Sequence, residues 1–305
     1  MSTFGLIGTI TSDTITREDG PALTGLGGIL YQAAVLCGLA EDVLLYSNCG
    51  AELETEVRSL IGAWPTLCTN GLEFVPGPGN RVFLRYSGHL KEREEVLEFV
   101  VPPLDASRVL PDLDQLDMLL MVFNSGFDMT LDDWRKLAAA ASCPTWLDIH
   151  SLTLARHLRR HREYKSLSDW KDWVSGISYL QANRQEVACM LGHPERWPDR
   201  SEIAAFLEDA FRIGLKAVFI TMGKEGTLAS TPDRSCMMRA PRAKTVVDTT
   251  GCGDVFCAGA MHGLAGGASI SESASFGIQL ASRAVGLAGV RKTYEMARDF
   301  AARKF

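Results

Sequence analysis

The sequence predicts an α/β fold in which a mostly parallel sheet is covered by helices on both faces and carries a small antiparallel flap. Short apolar runs alternate with helix-like segments along most of the 305 residues. Strands that are buried on both faces are apolar throughout, and the helices between them provide the crossovers of a parallel sheet. Residues 72–101 instead contain strand-like runs without a convincing helix between them, which predicts the flap.

Six apolar runs predict strands of the main sheet, at 4–10, 43–47, 117–123, 145–149, 177–182 and 217–221. Six helix-like segments accompany them, at 28–40, 51–62, 130–142, 151–163, 184–191 and 201–214. A Pro/Gly turn at 76–79 divides the flap, and residues 14–26 are a second candidate for flap strands. Because there is no internal repeat or long linker, we expect residues 1–305 to form a single domain.

Composition narrows the class of protein. The formal net charge of -6 and the pI near 5.6 argue against nucleic acid as the main partner, because surfaces that follow phosphates usually carry a basic excess. The eight cysteines are scattered without a CxxC pair, which favours reduced thiols. No apolar stretch approaches the ~20 residues that a membrane span needs. We therefore expect a cytoplasmic protein without a membrane or nucleic-acid partner.

The sequence DTTGCGD at 248–254 lies between a strand-like run, 243–247, and a helix-like run. Gly251 and Gly253 allow a tight turn and let a ligand approach the backbone. The following helix directs unpaired N–H groups and the positive end of its dipole at the same point. The pattern predicts an anion-binding turn with a carboxylate, Asp254, in the first helical turn. The plainer interpretation makes Asp254 a helix cap.

DTTGCGD resembles the DTxGAGD signature of the PfkB/ribokinase family of ATP-dependent small-molecule kinases, with Cys252 in place of the usual alanine. Four further segments resemble the family's motifs, in the family's order. They are TGLGGILYQAAVLCGLA at 24–40, LQANRQEV at 180–187, ITMGKEGTLAS at 220–230 and SFGIQLASRAVGLAGV at 275–290. The resemblance spans nearly the whole chain and implies a ribokinase-like fold with the site at the carboxyl edge of its sheet.

The resemblance implies ATP-dependent phosphorylation of a hydroxyl on a small polyol, such as a sugar, a sugar derivative or a nucleoside. Asp254 is then the general base that accepts the hydroxyl proton. The N–H groups of Gly251, Cys252 and Gly253 would hold the charge that develops during transfer. We also expect the helix N-terminus to lower the thiol pKa of Cys252, which would make it sensitive to alkylation.

For the nucleotide, the resemblance assigns Asn183 and Glu186, with Glu186 acting on Mg²⁺ through water. The spacing N-x-x-E also fits a helix start with Asn as N-cap and Glu three residues later, and both interpretations can hold together. Thr221, Gly223 and Gly226 match the family's T-x-G-x-x-G nucleotide turn. An ordinary loop between two elements is the alternative for these three residues.

On the acceptor side, the resemblance assigns Asp13 after the first strand and the pair Gly27 and Gly28 at the start of a helix. Gln32 stands where the family carries an asparagine that contacts a substrate hydroxyl. The segment between Asp13 and Gly27 is short for two lid strands, and NCGAELE lacks the aspartate of the family's G-x-D-x-x-G segment. Because these departures all lie on the acceptor side, the sequence defines the identity of the acceptor less well than the type of reaction.

Asp248 is assigned by the resemblance to a monovalent-cation site, expected to hold K⁺ with the help of carbonyls near 286–290. The alternative is a hydrogen-bond acceptor at a strand end. Arg81, Phe83 and Arg85 alternate along a flap strand and share one face. That face would grip an acidic acceptor if it covered the pocket, and otherwise it is solvated.

The basic run at 156–165 predicts a solvated helix face. An exposed edge of the flap suggests a homodimer, because unpaired strand edges are usually covered.

Two other functions stay open at this point. One is a non-catalytic nucleotide- or sugar-binding protein on the same fold. The other is a vitamin-type kinase that acts on pyridoxal or a hydroxymethylpyrimidine. Those relatives lack a protruding flap, so a flap at 72–101 would count against the vitamin-type kinase.

Overall fold

A computed structural model describes residues 1–17, 21–87, 92–243 and 245–303. Its strands, numbered in chain order, are β1 (Thr3–Ile7), β2 (Ile10–Arg17), β3 (Leu23–Gly28), β4 (Asp42–Gly50), β5 (Leu67–Cys68), β6 (Leu72–Val75), β7 (Asn80–Ser87), β8 (Glu92–Leu97), β9 (Met118–Val122), β10 (Thr145–Asp148), β11 (Tyr179–Asn183), β12 (Ala217–Thr221), β13 (Thr227–Ser230) and β14 (Ser235–Met238). Its α-helices are α1 (Leu30–Gly38), α2 (Glu54–Ile61), α3 (Leu131–Ala140), α4 (Trp170–Val174), α5 (Arg184–Met190), α6 (Arg200–Ile213), α7 (Cys252–Ala265), α8 (Ile270–Ala284) and α9 (Val290–Ala302). No helix in these ranges is long and apolar enough to cross a membrane.

The main sheet has the strand order β14-β13-β12-β11-β10-β9-β1-β4-β5, with β6 paired to β4. Neighbouring strands from β12 to β5 are parallel, and β13 and β14 add an antiparallel edge. Parallel neighbours need crossovers, and helices supply most of them. The predicted fold class, a mostly parallel sheet with helices on both faces and a small flap, is confirmed.

Both faces of this sheet are apolar because helices cover both. In β9, Leu120 and Val122 pack on the side of α1, α2 and α7–α9, whereas Leu119 and Met121 pack on the side of α3–α6. Alternation along a strand sends successive side chains to opposite faces, so a strand buried on both sides must be apolar at every position. This is why short uninterrupted apolar runs predicted the main strands.

The flap is a separate sheet in the order β3-β2-β7-β8. The outer pairs are antiparallel and the central pair, β2 with β7, is parallel. Both predicted flap segments contribute to it, although residues 18–20 and 88–91 lie outside the described residues. Leu72–Val75 pairs with β4 instead, so the boundary at 72 was too early. The segment from Asp13 to Gly27, expected to be short for two lid strands, does hold parts of both β2 and β3.

Two predicted strands differ from the structure. The run 4–10 is not one strand, because the chain leaves the main sheet after β1 and continues in the flap as β2. The described residues of 243–247 are not a strand at all, and Lys244 lies outside the description. Val246 and Val247 are exposed there, and the Val247 N–H donates to the Val285 carbonyl at 2.8 Å rather than to a neighbouring strand.

The predicted helix at 151–163 is also wrong. A 3₁₀ turn, His150–Thr153, is followed by irregular chain that runs beside β8. There the Arg159 N–H donates to the Leu97 carbonyl at 2.8 Å, and the Arg162 N–H to the Glu95 carbonyl at 2.9 Å. The basic run is therefore not a solvated helix face. It covers part of the flap edge that suggested a dimer.

Most of the basic run is exposed, but Arg162 within it is buried. Its side chain is 0% exposed and pairs with the Glu95 carboxylate at 3.0 Å. The guanidinium also donates to the carbonyls of Ala155 and Ser125, both at 2.9 Å. Burial lowers the pKa of Arg162, but the Glu95 charge opposes that effect. The pair thus ties the flap to the body of the protein.

We predict that Glu95→Gln lowers the free energy of unfolding by about 3–5 kcal/mol, because it removes the carboxylate that pairs directly with the buried Arg162 guanidinium. Urea unfolding measures this change. Glu54→Gln is the matched control, since it removes the exposed partner of Arg58 and should leave stability nearly unchanged. Equal losses in the two variants would contradict the role given to the buried pair.

Candidate functional site

The carboxyl ends of the central strands bring several predicted site residues to one edge of the sheet. Asn183 at the end of β11 lies directly opposite Thr221 at the end of β12. Asp148 at the end of β10 lies opposite Gln181 of β11. Parallel strands end at the same edge, so motifs that are far apart in sequence become neighbours here. The segments 180–187 and 220–230 therefore lie side by side at this edge of the sheet.

Helix α7 begins at this edge with the turn 248–254, which the sequence predicted to bind an anion and which is called the anion-binding turn below. Gly251 is its N-cap and has φ 78°, a left-handed conformation that other residues rarely adopt. A Cβ atom at Gly251 would also lie 2.6 Å from the ring of Tyr31. Asp254 is in the first turn of the helix, as predicted. The Cys252 N–H donates to the Thr249 carbonyl at 3.3 Å, so this predicted donor points back into the turn.

Gln32 contacts Asp254 directly. Its Nε2 donates to Asp254 Oδ1 at 2.5 Å, and its side chain is 0% exposed. The sequence placed Gln32 on the acceptor side, in the position of a substrate-binding asparagine. The structure instead brings its amide to the carboxylate that we expected to act as the base.

Asp13 lies at the junction of the flap and the main sheet, against the glycine pair. A Cβ atom on Gly27 would be 2.0 Å from Asp13 Oδ2, so only glycine allows the carboxylate to sit there. Gly28 pairs with Ile10 in the same ladder, and only Ile29 separates it from the first residue of α1. The structure thus brings Asp13, Gly27 and Gly28 together, as the resemblance implied.

Tyr31 joins the acceptor side to the anion-binding turn, and sequence reasoning missed it. Burial raises the pKa of its phenol, and the negative charges of Asp13, Asp248 and Asp254 raise it further. The phenol therefore lies among three carboxylates. A bulky aromatic residue three positions after a Gly-Gly pair, in a helix of small and aliphatic residues, was the signal that could have revealed it.

Asp148 and Gln181 are two further residues that sequence reasoning did not assign. Asp148 is buried, and burial together with the charges of Glu186 and Asp254 raises its pKa well above the usual range. Gln181 Nε2 donates to Asp148 Oδ2 at 2.9 Å and to the Gly253 carbonyl at 3.1 Å. Gln181 therefore links β10 and β11 to the anion-binding turn.

Asn183 and Glu186 form a capping box at the start of α5. The Glu186 N–H donates to Asn183 Oδ1 at 2.9 Å, and the Asn183 N–H donates to Glu186 Oε2 at 2.7 Å. The capping interpretation of N-x-x-E is thus what the structure shows. Among the described residues, no group of three or more His, Cys, Asp or Glu side chains could hold a metal ion directly.

The turn after β12 contains Gly223 and Gly226, with a short 3₁₀ segment, Gly223–Glu225, between Thr221 and β13. Arg184, the first residue of α5, donates to Glu225 at 2.8 Å. The turn is therefore tied to the capping box, and the two segments that resemble nucleotide motifs are held together.

Asp248 accepts hydrogen bonds from the flap and from its own turn. Arg17 Nη2 lies 2.9 Å from Asp248 Oδ1, and the Thr250 N–H donates to the same oxygen at 3.0 Å. Tyr86 of the flap lies beside this contact, with its hydroxyl 3.3 Å from Thr250 Oγ1. The flap thus touches the segment that enters the anion-binding turn.

The expected fall in the thiol pKa of Cys252 is wrong. Burial raises that pKa to about 12, and the charges of Asp248 and Asp254 add to the effect. Two nearby carboxylates and a desolvated position outweigh the dipole of the helix.

The face of the flap that turns inward is apolar. Val82, Leu84 and Tyr86 of β7 pack in one cluster with other flap residues and Phe127. Arg81, Phe83 and Arg85 lie on the outer face of the same strand, so they do not cover the pocket. The hypothesis that these arginines grip an acidic acceptor is therefore wrong.

Comparison with known proteins agrees with this arrangement. The profile of the pfkB family carbohydrate kinases matches residues 139–296, just over half of the chain. An uncharacterized sugar kinase from Archaeoglobus fulgidus is 27% identical over 128 residues, which are 42% of this chain and 48% of that protein. In the curated relatives that it matches, the chain spans between 33% and 48% of their length.

Solved structures show the same fold over the whole chain. The adenosine kinase from Sinorhizobium meliloti has a TM-score of 0.77 and 19% identity, with 99% of this chain and 98% of that chain covered. The Arabidopsis thaliana ribokinase complexed with ribose and ATP has a TM-score of 0.73 and 16% identity, with 98% of each chain covered. The fold is that of ribokinase, and the chain belongs to the pfkB family of carbohydrate kinases.

Proposed function

We propose that this protein transfers the γ-phosphate of ATP to a hydroxyl of a small polyol, such as a sugar, a sugar derivative or a nucleoside. The observation that supports this most strongly is the position of Asp254. Its carboxylate lies in the first turn of α7, beside the Gly251–Gly253 turn and across from the paired ends of β11 and β12. A base next to a phosphate-binding helix N-terminus is what transfer to a hydroxyl requires.

In the proposed reaction, Asp254 accepts the proton of the acceptor hydroxyl as its oxygen attacks the γ-phosphorus. A new P–O bond forms to the acceptor, the bond between the γ-phosphorus and the bridging oxygen breaks, and ADP leaves with that electron pair. The N–H groups at Gly251 and Gly253 stabilise the charge on the transferred group. Asp13, beside Gly27 and Gly28, binds further hydroxyls of the acceptor and orients it.

The negative charge near Asp254 and Glu186 is suited to binding Mg²⁺. Glu186 is 5% exposed, and its charge and that of Asp254 both raise the pKa of Asp148, which indicates that these two negative charges lie near the same point. Both Glu186 oxygens accept hydrogen bonds from Asn183, which favours contact with the metal through water rather than direct ligation. When bound with the nucleotide, Mg²⁺ would neutralise charge on its phosphates.

The proposed substrate classes agree with the names of proteins that share this fold. The structures with this fold include an adenosine kinase and a ribokinase that holds ribose and ATP. Thr221, Gly223 and Gly226 would then contact the nucleotide, and the apolar inner face of the flap would cover the acceptor.

One structural observation and one experiment distinguish the two alternative functions from the proposed kinase. A vitamin-type kinase is disfavoured because β2, β3, β7 and β8 form a flap beside the main sheet. A non-catalytic binding protein would need neither the base nor its neighbours, and transfer to a panel of sugars, nucleosides, pyridoxal and hydroxymethylpyrimidine separates it from a kinase. A homodimer through the flap stays a proposal, with the part of the edge near Glu95 and Leu97 already covered by the same chain.

We predict that Asp254→Asn lowers kcat by about 10²–10⁴-fold, because the variant keeps the shape of the side chain but removes the general base. ATP affinity should survive, since the backbone N–H groups of the turn are untouched. The measurement combines ADP release with an acceptor from the panel, ATP affinity and melting temperature on one preparation. If Asp254 were only a cap, stability would fall and turnover per folded molecule would stay near normal.

Glu186→Gln tests the proposed role in Mg²⁺ binding while it preserves the helix start. Glutamine three residues after the N-cap still completes a capping box, so the melting temperature should change little. We expect the Mg²⁺ concentration for half-maximal activity to rise by about 10–100-fold, because the negative charge behind the metal's water shell is lost. An unchanged Mg²⁺ dependence would remove Glu186 from the metal site.

The monovalent-cation site proposed at Asp248 predicts faster turnover when K⁺ replaces tetramethylammonium at constant ionic strength. Arg17 already places a positive charge 2.9 Å from Asp248 Oδ1, so the stimulation should be larger in Arg17→Met than in the wild-type protein. Initial rates of both proteins in the two salts measure this. Equal rates in K⁺ and tetramethylammonium for both proteins would reject the site.

A further inference from the structure

Helix α1 contacts the anion-binding turn through two successive residues. The Tyr31 ring packs against Gly251 so closely that a Cβ there would be 2.6 Å from a ring carbon. Gln32 Nε2 lies 2.5 Å from Asp254 Oδ1. The two side chains therefore reach the N-cap of α7 and the carboxylate in its first turn. A shift of α1 would move both.

The orientation of the Gln32 amide follows from its chemistry. Its nitrogen is a donor and its oxygen an acceptor, and an ionised carboxylate only accepts. If the amide were flipped, Oε1 would face Asp254 Oδ1 with no proton between them. The contact is therefore a charge-assisted hydrogen bond from Nε2, which is stronger than a bond between neutral groups.

An amide side chain at position 32 lowers the stability of the folded protein. Gln32 Oε1 is buried and has no hydrogen-bond partner among the described residues. A buried acceptor without a partner destabilises the folded state, whereas a methionine of similar length would leave no such atom. The feature of glutamine that this position uses is thus the donor on Nε2.

The length of the side chain matters as well. Asparagine is one methylene shorter, so its amide would end about 1.5 Å farther from the carboxylate. Added to the present 2.5 Å contact, that gap exceeds hydrogen-bond distance. At this position glutamine reaches Asp254, and asparagine would not.

We propose that Gln32 is a positioning residue that fixes the orientation of the Asp254 carboxylate. Its N–H group holds Oδ1 and thereby sets the direction in which the carboxylate meets the acceptor hydroxyl. This inference rests on the proposed role of Asp254 as general base. Tyr31 also helps to position Asp254, because its ring packs against Gly251, the N-cap of α7.

Gln32→Met and Gln32→Asn test the proposal on the full-length protein. With ATP·Mg²⁺ and ribose, fructose or adenosine as acceptor, both variants should lose about 10–100-fold in kcat, because a misplaced base lowers the rate without removing it. The KM for ATP should stay unchanged, and Gln32→Met should melt no lower than the wild-type protein. Cys37→Ala, a buried change farther along α1, is the control and should keep normal turnover per folded molecule.

A double variant separates this proposal from the proposed function. If Gln32 acts through Asp254, Gln32→Met should lower kcat no further in the Asp254→Asn background. Wild-type kcat in Asp254→Asn alone, or no transfer by the wild-type protein to any sugar or nucleoside of the wider panel, would overturn the proposed function. If kcat falls in Asp254→Asn but stays at the wild-type value in Gln32→Met or Gln32→Asn, the positioning role of Gln32 is overturned. The role of Asp254 as general base then still holds.

Discussion

The start of helix α7 controls the site, because it fixes both the backbone N–H groups of the anion-binding turn and the carboxylate of Asp254. Three contacts hold it in place. Tyr31 packs against Gly251, Gln32 donates to Asp254, and Gln181 donates to the Gly253 carbonyl. These contacts come from a helix on one face of the sheet and from a central strand. The position of the turn is thus set by the main body of the fold and not by a loop alone, and precise placement of this kind is what phosphoryl transfer requires.

Negative charge is the second constraint on the site. Asp13, Asp248 and Asp254 lie near the Tyr31 phenol, and the charges of Glu186 and Asp254 act together on the buried Asp148. Arg17 places a positive charge 2.9 Å from Asp248 in this group. In the proposed function, Mg²⁺ would bring positive charge to the carboxylates, and the helix N-terminus and the backbone N–H groups would receive the phosphates. This division would allow an acidic site to bind an anionic nucleotide.

The sequence predicted the main sheet and the order of the motifs well, because each depends on local patterns. An apolar run predicts a strand that is buried on both faces, and DTTGCGD predicts a turn before a helix. The predictions that were wrong or incomplete concern residues whose positions depend on contacts with distant parts of the chain. The basic run 156–165 resembles a surface helix, yet Arg162 is buried by its pairing with Glu95, a partner 67 positions away. Tyr31, Asp148 and Gln181 join the site through packing between distant segments, which no local pattern records. The assignments of Asn183, Glu186, Thr221 and Asp248 to ligands stay predictions, although the structure groups these residues at one edge.

The central claim is that phosphate is received at the N-terminus of α7, with Asp254 beside the attacking hydroxyl. A crystal structure with Mg²⁺, a non-hydrolysable ATP analogue and an acceptor found by activity tests it most directly. The account predicts the γ-phosphate about 2.7–3.1 Å from backbone nitrogens of the Gly251–Gly253 turn, and the acceptor hydroxyl within hydrogen-bond distance of Asp254. A triphosphate bound away from this turn, or an acceptor whose hydroxyls do not reach Asp254, would contradict it.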